Sequence, residues 1–334
     1  LNVNNDQTVN NELNVNNDLN VNNDQTVNND IKILTTPILL TGTLMLQKCL
    51  KKLGLITDII FNIEKNYNDD TFYIILFASL TKIPKKYIFW QIEQTSLIDS
   101  PTNKFNSNYF NLMNNSLSIF EISPDNIFHY QDKIINLKKI IYNQLPFSDI
   151  YNTNIQVSHY KYDIVFFGTK CSRRSIILNK LIQNISRKYK IKCLFGINGK
   201  KRDDILKKTK YLLNIHYYKD AKLECDRFNI AINSNCLILT ENCIGDIQNK
   251  KNYNYFLTYF DNINCNKKDA NIQQLINVIE YNLKDEVFLK KKLNYINEKQ
   301  NLENKCLSHL RKNLQSLNCF TPYLIKNTHF TDKN

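Results

Sequence analysis

The stretch YDIVFFGTKCSRRSIILNKLIQNISRKYKIKCLFGI, residues 162–197, decides the fold. It begins with an apolar run that ends at Gly168 and continues with a segment whose apolar side chains recur at the helical period of 3.6. A second apolar run closes it. A strand, a helix and a strand in this order form the basic unit of a parallel sheet. The pattern therefore predicts strand 162–168, helix 172–190 and strand 191–197.

The same alternation of apolar runs and helical segments continues on both sides of this stretch. After it we predict helices at 200–211 and 221–234 and strands at 212–217, 236–241 and 255–260, followed by two lysine-rich helical segments at about 269–284 and 285–318. Before it we predict strands at 31–36, 57–63, 71–79, 86–94, 116–123 and 138–147, a helix at 44–54 and a crossover helix between 123 and 138. Runs that are apolar on both faces are typical of parallel sheets covered by helices. We therefore predict an α/β fold in which two Rossmann-like domains face a cleft.

The first thirty residues are a hexapeptide repeated five times, LNVNND and its variants. Each repeat offers one Val and at most one Leu, too little apolar surface to offset the entropy lost on ordering, so we predict that 1–30 is disordered. The polar stretch 148–161 is a predicted linker. We divide the rest into a first Rossmann-like domain at 31–150, a second at 162–284, and a C-terminal helical segment with a tail at 285–334.

Composition limits the classes of function. The net charge of +13 suits anionic ligands, although a solvated lysine surface explains it equally well. The lysines form no basic stripe with interleaved aromatics, so nucleic-acid binding is not expected. Nine cysteines without a CxxC pair indicate reduced thiols in the cytoplasm. No apolar run reaches the length of a membrane span, and we see no secretory signal.

The turn after Gly168 has the features of an anion site. A predicted helix begins near Ser172, so free backbone N–H groups and the positive end of the helix dipole meet Arg173 and Arg174 there. Glycine would let a phosphate approach the backbone closely. The alternative is a surface turn with two solvated arginines. Neither GxGxxG nor GxxxxGK[ST] is present, so the sequence carries no nicotinamide fingerprint and no Walker loop.

Two further strand ends are predicted at the same rim as Gly168. His216 ends one strand and Glu241 ends another, and ligands of open α/β sheets bind outside the carboxyl ends of strands. Glu224 and Arg227 lie three residues apart on the helix between them. His216 is either part of this site or a core histidine.

The C-terminal half resembles the GT-B glycosyltransferases of the group-1 type, in particular the CgeB-like branch. The matching text is YDIVFFGTKCSRR and the run from LFGING to NSNCLILTEN, with YIFWQIEQ and SLSIFEISPDNI upstream. The resemblance covers residues 31 to 300. It implies a nucleotide-sugar donor on the second domain and an acceptor facing the first. Two glutamates that the family carries eight positions apart are replaced here by Lys222 and Ile230.

Carried over by position, the resemblance implies roles for several residues. The implied donor-binding residues are Gly168, Thr169, Tyr217, Arg227, Thr240 and Glu241, to which the anion-site argument adds Arg173. We expect His216 and Glu224 to be catalytic, together with Glu93, which ends a strand of the first domain and could deprotonate an acceptor hydroxyl. Alternatively, Glu93 is a solvent-exposed polar residue at the end of a strand, without a catalytic role.

We therefore predict a hexosyltransferase-like glycosyltransferase that needs no metal and no cofactor beyond its nucleotide diphosphate sugar donor. The RDD run at 202–204 is interpreted as a solvated helix face and not as a metal site. The acceptor, whether a glycan, a protein or a small molecule, is not specified by the sequence. The alternatives are a catalytically inactive protein that binds nucleotide sugars or acts as a scaffold, and a basic nucleic-acid-binding protein.

Overall fold

The computed structural model of the protein describes residues 31–61, 67–76, 80, 82–93, 107–151, 160–218, 221–265 and 270–317. The repeats at 1–30 and the disorder predicted for them lie outside this range. The strands are β1 Ile31–Leu34, β2 Asp58–Ile60, β3 Phe72–Ile75, β4 Tyr87–Gln91, β5 Ser118–Glu121, β6 Ile140–Tyr142, β7 Tyr162–Gly168, β8 Ile191–Phe195, β9 Thr209–Asn214, β10 Leu237–Glu241 and β11 Leu257–Phe260. The helices are α1 Leu40–Lys52, α2 Ser107–Asn115, α3 Pro124–Ile127, α4 Ser172–Ile185, α5 Gly199–Leu206, α6 Cys225–Asn233, α7 Ile247–Tyr253, α8 Gln273–Asn282, α9 Asp285–Leu293 and α10 Tyr295–Gln315.

The strands form two separate parallel sheets, which confirms the predicted α/β architecture. The first sheet has the order β2-β1-β3-β4-β5-β6, and the second has the order β11-β10-β9-β7-β8. All nine pairings between neighbouring strands are parallel. The apolar run YDIVFFG becomes the strand β7, which lies between β9 and β8 and is buried from Ile164 to Phe167. A parallel strand covered on both faces needs such a continuous apolar run.

The last helix returns to the first sheet. Leu310 and Leu314 of α10 are buried in the same cluster as Ile31 and Trp90 of the first sheet and Leu50 of α1. The chain therefore ends by packing a helix from the C-terminal region against the N-terminal sheet. No helix within the described residues combines the length and apolar content needed to cross a membrane.

Several predicted elements have different bounds in the structure. Helices α2 and α7 were not predicted, and the segment 285–318 is two helices that meet at Asn294. The helix predicted at 221–234 begins at Cys225. Leu223 is held outside the helix because its N–H donates to the Asp246 carboxylate at 3.1 Å. A tertiary contact of this kind leaves no periodic signal in the sequence.

Candidate functional site

A cleft of about 630 Å³ lies between the carboxyl ends of the two sheets. Its N-terminal wall consists of residues that follow β4, β5 and β6 or precede α1, and it is mainly aliphatic. The residues of this wall are Ile38, Leu39, Ile92, Glu93, Ile122, Ser123, Asn126 and Leu145. Its C-terminal wall follows β7, β8 and β9 and carries the charges. The charged residues of this wall are Lys170, Arg202, Lys222, Glu224, Asp226 and Arg227.

Gly168 ends β7 at the cleft, and only glycine fits there. Its φ is +150°, and a methyl group at its Cα would lie 2.8 Å from Nη2 of Arg227 and 3.1 Å from Nη1 of Arg174. Thr169 and the exposed Lys170 follow it along the cleft. The backbone therefore approaches two guanidinium groups without an intervening side chain, as an anion-binding turn requires.

Glu224 joins the two arginines. Its Oε1 accepts from Nη2 of Arg174 at 3.2 Å and its Oε2 accepts from Nη1 of Arg227 at 2.7 Å. Burial opposes its ionisation, but Arg227 and Arg174 outweigh burial and lower the pKa of Glu224. Glu224 therefore stays ionised and orients the arginines. A carboxylate whose two oxygens are held by guanidinium groups is a weak proton acceptor.

Stacking on aromatic rings fixes the guanidinium groups. The ring centroid of Phe167 lies 5.1 Å from the guanidinium carbon of Arg202 and 5.3 Å from that of Arg227. Arg174 lies in the same way over Phe166 and Tyr217, and it is 1% exposed. Burial lowers the pKa of Arg227 to about 10, so this side chain stays protonated at neutral pH. The C-terminal wall thus presents guanidinium groups to the cleft whose positions are fixed by stacking.

Arg173 and Glu241, both predicted to bind a donor, pair with each other and do not line the cleft. Arg173 donates to both carboxylate oxygens of Glu241 and, at 2.9 Å, to the carbonyl oxygen of His216. Glu241 is fully buried and also accepts from the N–H groups of His216 at 2.7 Å and Ile263 at 3.1 Å. Thr240 beside it is fully buried. The pair therefore ties together the chain segments that follow β9, β10 and β11.

His216 is fully buried and does not line the cleft either. Neither ring nitrogen has a hydrogen-bond partner among the described residues. Burial lowers its pKa from 6.5, against the opposing influence of Glu224 and Glu241, so the ring is neutral. The half-buried Tyr217 follows it and stacks on Arg174. His216 was predicted to end a strand, but β9 ends at Asn214 and His216 follows it. The sequence did not predict that Arg173 and Glu241 would enclose this position.

On the N-terminal wall, Glu93 lies at the cleft directly after β4. Gln91, two residues earlier, is fully buried, and its side chain bonds the backbone N–H of Glu93 at 2.9 Å and accepts from the hydroxyl of Tyr109. At the end of the neighbouring strand, Glu121 is fully buried and accepts from the hydroxyl of Tyr130 at 2.6 Å. Burial raises the pKa of Glu121 to about 7. Gln91 and Glu121 are therefore buried behind this wall, and their hydrogen bonds stabilise it.

The interpretation of residues 202–204 as a solvated helix face is wrong for two of the three residues. Arg202 and Asp203 are each 2% exposed, and only Asp204 faces solvent. Arg202 donates to Oγ1 of Thr41 at 2.7 Å, and Thr41 donates to Asp203 at 3.1 Å. Thr41 of α1, in the other half of the chain, thus binds both buried residues of α5. Amphipathic spacing shows that a helix has a buried face, but not that a distant segment covers its charged residues.

Comparison with known proteins gives partial matches in sequence. No protein-family profile matches the chain. One uncharacterised protein of Acanthamoeba polyphaga mimivirus is 33% identical over 109 residues, which are 32% of this chain and 34% of that protein. A second is 30% identical over 169 residues, 43% of this chain and 22% of the relative. The chain thus spans about a third and about a fifth of the length of these relatives.

Comparison with solved structures gives matches over most of the chain. WaaG, a glycosyltransferase involved in lipopolysaccharide biosynthesis, superposes with a TM-score of 0.53 at 10% identity, over 86% of this chain and 99% of its own. HepE of Anabaena in complex with UDP and glucose gives 0.52 at 9% identity, over 87% and 99%. An α-glucosyltransferase in complex with UDP-glucose and DNA gives 0.50 at 8% identity, over 84% and 95%. These neighbours have the GT-B fold, and at such identities the likeness establishes that this chain shares it.

Proposed function

We propose that this protein is a glycosyltransferase that moves a sugar from a nucleotide diphosphate sugar to an acceptor bound in the cleft. The observation that carries the proposal is the arrangement around Gly168, where a bare backbone turn lies against Arg227 and beside Lys170 at the mouth of the cleft. A leaving diphosphate develops negative charge at its bridging oxygen. Fixed cations and helix N-terminal amides that face this charge lower the barrier to transfer.

The roles of the residues follow from their positions. Gly168, Thr169 and Lys170 would contact the diphosphate, with the amides at the start of α4 behind them. Arg227 would bind a phosphate oxygen while Glu224 keeps its guanidinium aligned. Further residues would act from behind the cleft by holding its C-terminal wall. These are Arg173, Tyr217, Thr240, Glu241 and His216.

We propose that the reaction proceeds without a metal ion, because protein cations already face the diphosphate position. The GT-B neighbours include complexes with UDP and UDP-glucose, which makes UDP sugars the first donors to test. The acceptor would lie against the aliphatic N-terminal wall near Glu93. The CgeB-like branch and the hexosyl specificity are part of this proposal.

The test is release of UDP from UDP-glucose and UDP-N-acetylglucosamine in the presence of EDTA. We expect release by the wild type, unchanged by EDTA and by added magnesium or manganese. Release that requires a metal ion would contradict metal independence. If UDP binds but no donor is turned over, the protein is a nucleotide-sugar-binding protein. Lys222, a cation paired with Asp125 at 3.1 Å where the family has a glutamate, is the observation that favours this second candidate.

A further inference from the structure

Among the described residues, three carboxylates line the cleft: Glu93, Glu224 and Asp226. Glu224 is held by Arg174 and Arg227, so it orients cations and is a poor proton acceptor. Glu93 belongs to the N-terminal wall, at the end of β4. Asp226 was not singled out from the sequence, and its surroundings differ from those of the other two.

Asp226 lies in the first turn of α6 and faces the other half of the molecule. A methyl group at Gly42 of α1 would lie 2.4 Å from its Oδ1, so the carboxylate lies directly against the N-terminal half. No described residue donates a hydrogen bond to it. It therefore sits at the junction of the two walls, where it lines the cleft with Oδ1 against Gly42.

The charges around Asp226 suit a proton acceptor. Burial is the largest influence and raises the pKa of Asp226 from 3.8; Asp203 of α5 acts in the same direction. Arg202 of α5 and Arg227 of α6 oppose them. Helix α1 faces Asp226 with the uncharged Gly42. A carboxylate whose pKa is raised by burial is a better proton acceptor than one paired to arginine.

We propose that Asp226 is the general base that takes the proton of the attacking hydroxyl. This inference rests on the proposed glycosyl transfer. The acceptor O–H bond breaks, and its proton goes to Oδ2 of Asp226, because Oδ1 lies against Gly42. The acceptor oxygen forms a bond to the anomeric carbon of the donor. The bond from that carbon to the diphosphate oxygen breaks, and the diphosphate leaves with the electron pair towards Arg227 and Lys170.

The experiment compares UDP release from UDP-glucose by the wild type, Asp226→Asn and Asp204→Asn, with the Kd for UDP measured beside it. Asparagine keeps the size of the side chain and removes the base, so we expect release to fall at least a hundredfold while UDP affinity changes less than threefold. Asp204→Asn, an exposed carboxylate of α5, should match the wild type. In Asp226→Asn the fall of kcat/KM on the acid side of the pH profile should disappear.

Gly42→Ala is a second variant that leaves Asp226 in place. The only atoms within 4 Å of the added methyl group belong to Asp226, so its carboxylate must move. Turnover should fall at least tenfold without a lower Tm, because alanine favours a helix over glycine. Release by Asp226→Asn within threefold of the wild type would overturn the assignment. A wild type that binds UDP and turns over no donor would overturn it too, whereas a wild type that binds no UDP overturns the proposed function itself.

Discussion

At the scale of the residue, the buried imidazole of His216 makes stability depend on pH. Both ring nitrogens lack a partner among the described residues, and burial lowers the pKa from 6.5. The folded protein therefore keeps the ring neutral, while the unfolded chain takes up a proton below pH 6.5. Stability must fall as the pH falls through this value. We predict that His216→Leu removes this loss, which urea unfolding of both proteins at pH 5 and pH 7.5 would measure. Equal pH slopes would contradict it.

The same residue marks how far the sequence can predict a site. The strand end before His216 and the strand end at Glu241 follow from apolar runs, so both positions were predictable. The pairing of Arg173 with Glu241, in place of the predicted contact with an anion, was not predictable from the sequence. The two residues lie on separate elements of the second domain. Burial of charged side chains is decided by tertiary packing, which leaves no local pattern in the sequence.

At the scale of the element, the carboxyl end of β5 carries a second pH-dependent group of opposite sign. The pKa of Glu121 is raised by burial from 4.5 to about 7, so the folded protein holds a proton there that the unfolded chain has lost. Stability should fall as the pH rises from 4.5 to 7, by up to about 3 kcal/mol. Glu121→Gln resembles the protonated form and keeps the contacts with Tyr130 and Asn126. We predict that this variant loses the decline, as read from unfolding free energies at pH 5 and 8. A decline that persists in Glu121→Gln would assign it to other groups.

Elements with a strong local signal were the ones predicted well. The strand β7 and the helix α4 follow from a continuous apolar run and a period of 3.6. Helices α2 and α7 are short and rich in asparagine, so their pattern does not stand out from the polar segments around them. The start of α6 at Cys225 depends on the contact of Leu223 with Asp246, which no propensity encodes.

At the scale of the whole molecule, contacts on both sides of the cleft join the two halves. On one side Thr41 of α1 bonds Arg202 and Asp203 of α5. On the other side Ser123 donates to Asp246 at 3.0 Å. The sequence predicted two sheets facing a cleft, because alternating strands and helices specify parallel sheets. It did not predict which residues join them, since these contacts span more than a hundred residues of chain.

Binding of a nucleotide diphosphate to the C-terminal wall can be measured by calorimetric titration of the protein with UDP. Lys170 is exposed beside Gly168 at the cleft, while Lys190 is exposed at the start of β8, at the opposite edge of the same sheet. We predict that the wild type binds one UDP per chain. Lys170→Ala should weaken binding about tenfold by removing a charged hydrogen bond, and Lys190→Ala should leave it unchanged. No measurable binding by the wild type, or equal affinities for the two lysine variants, would contradict the claim.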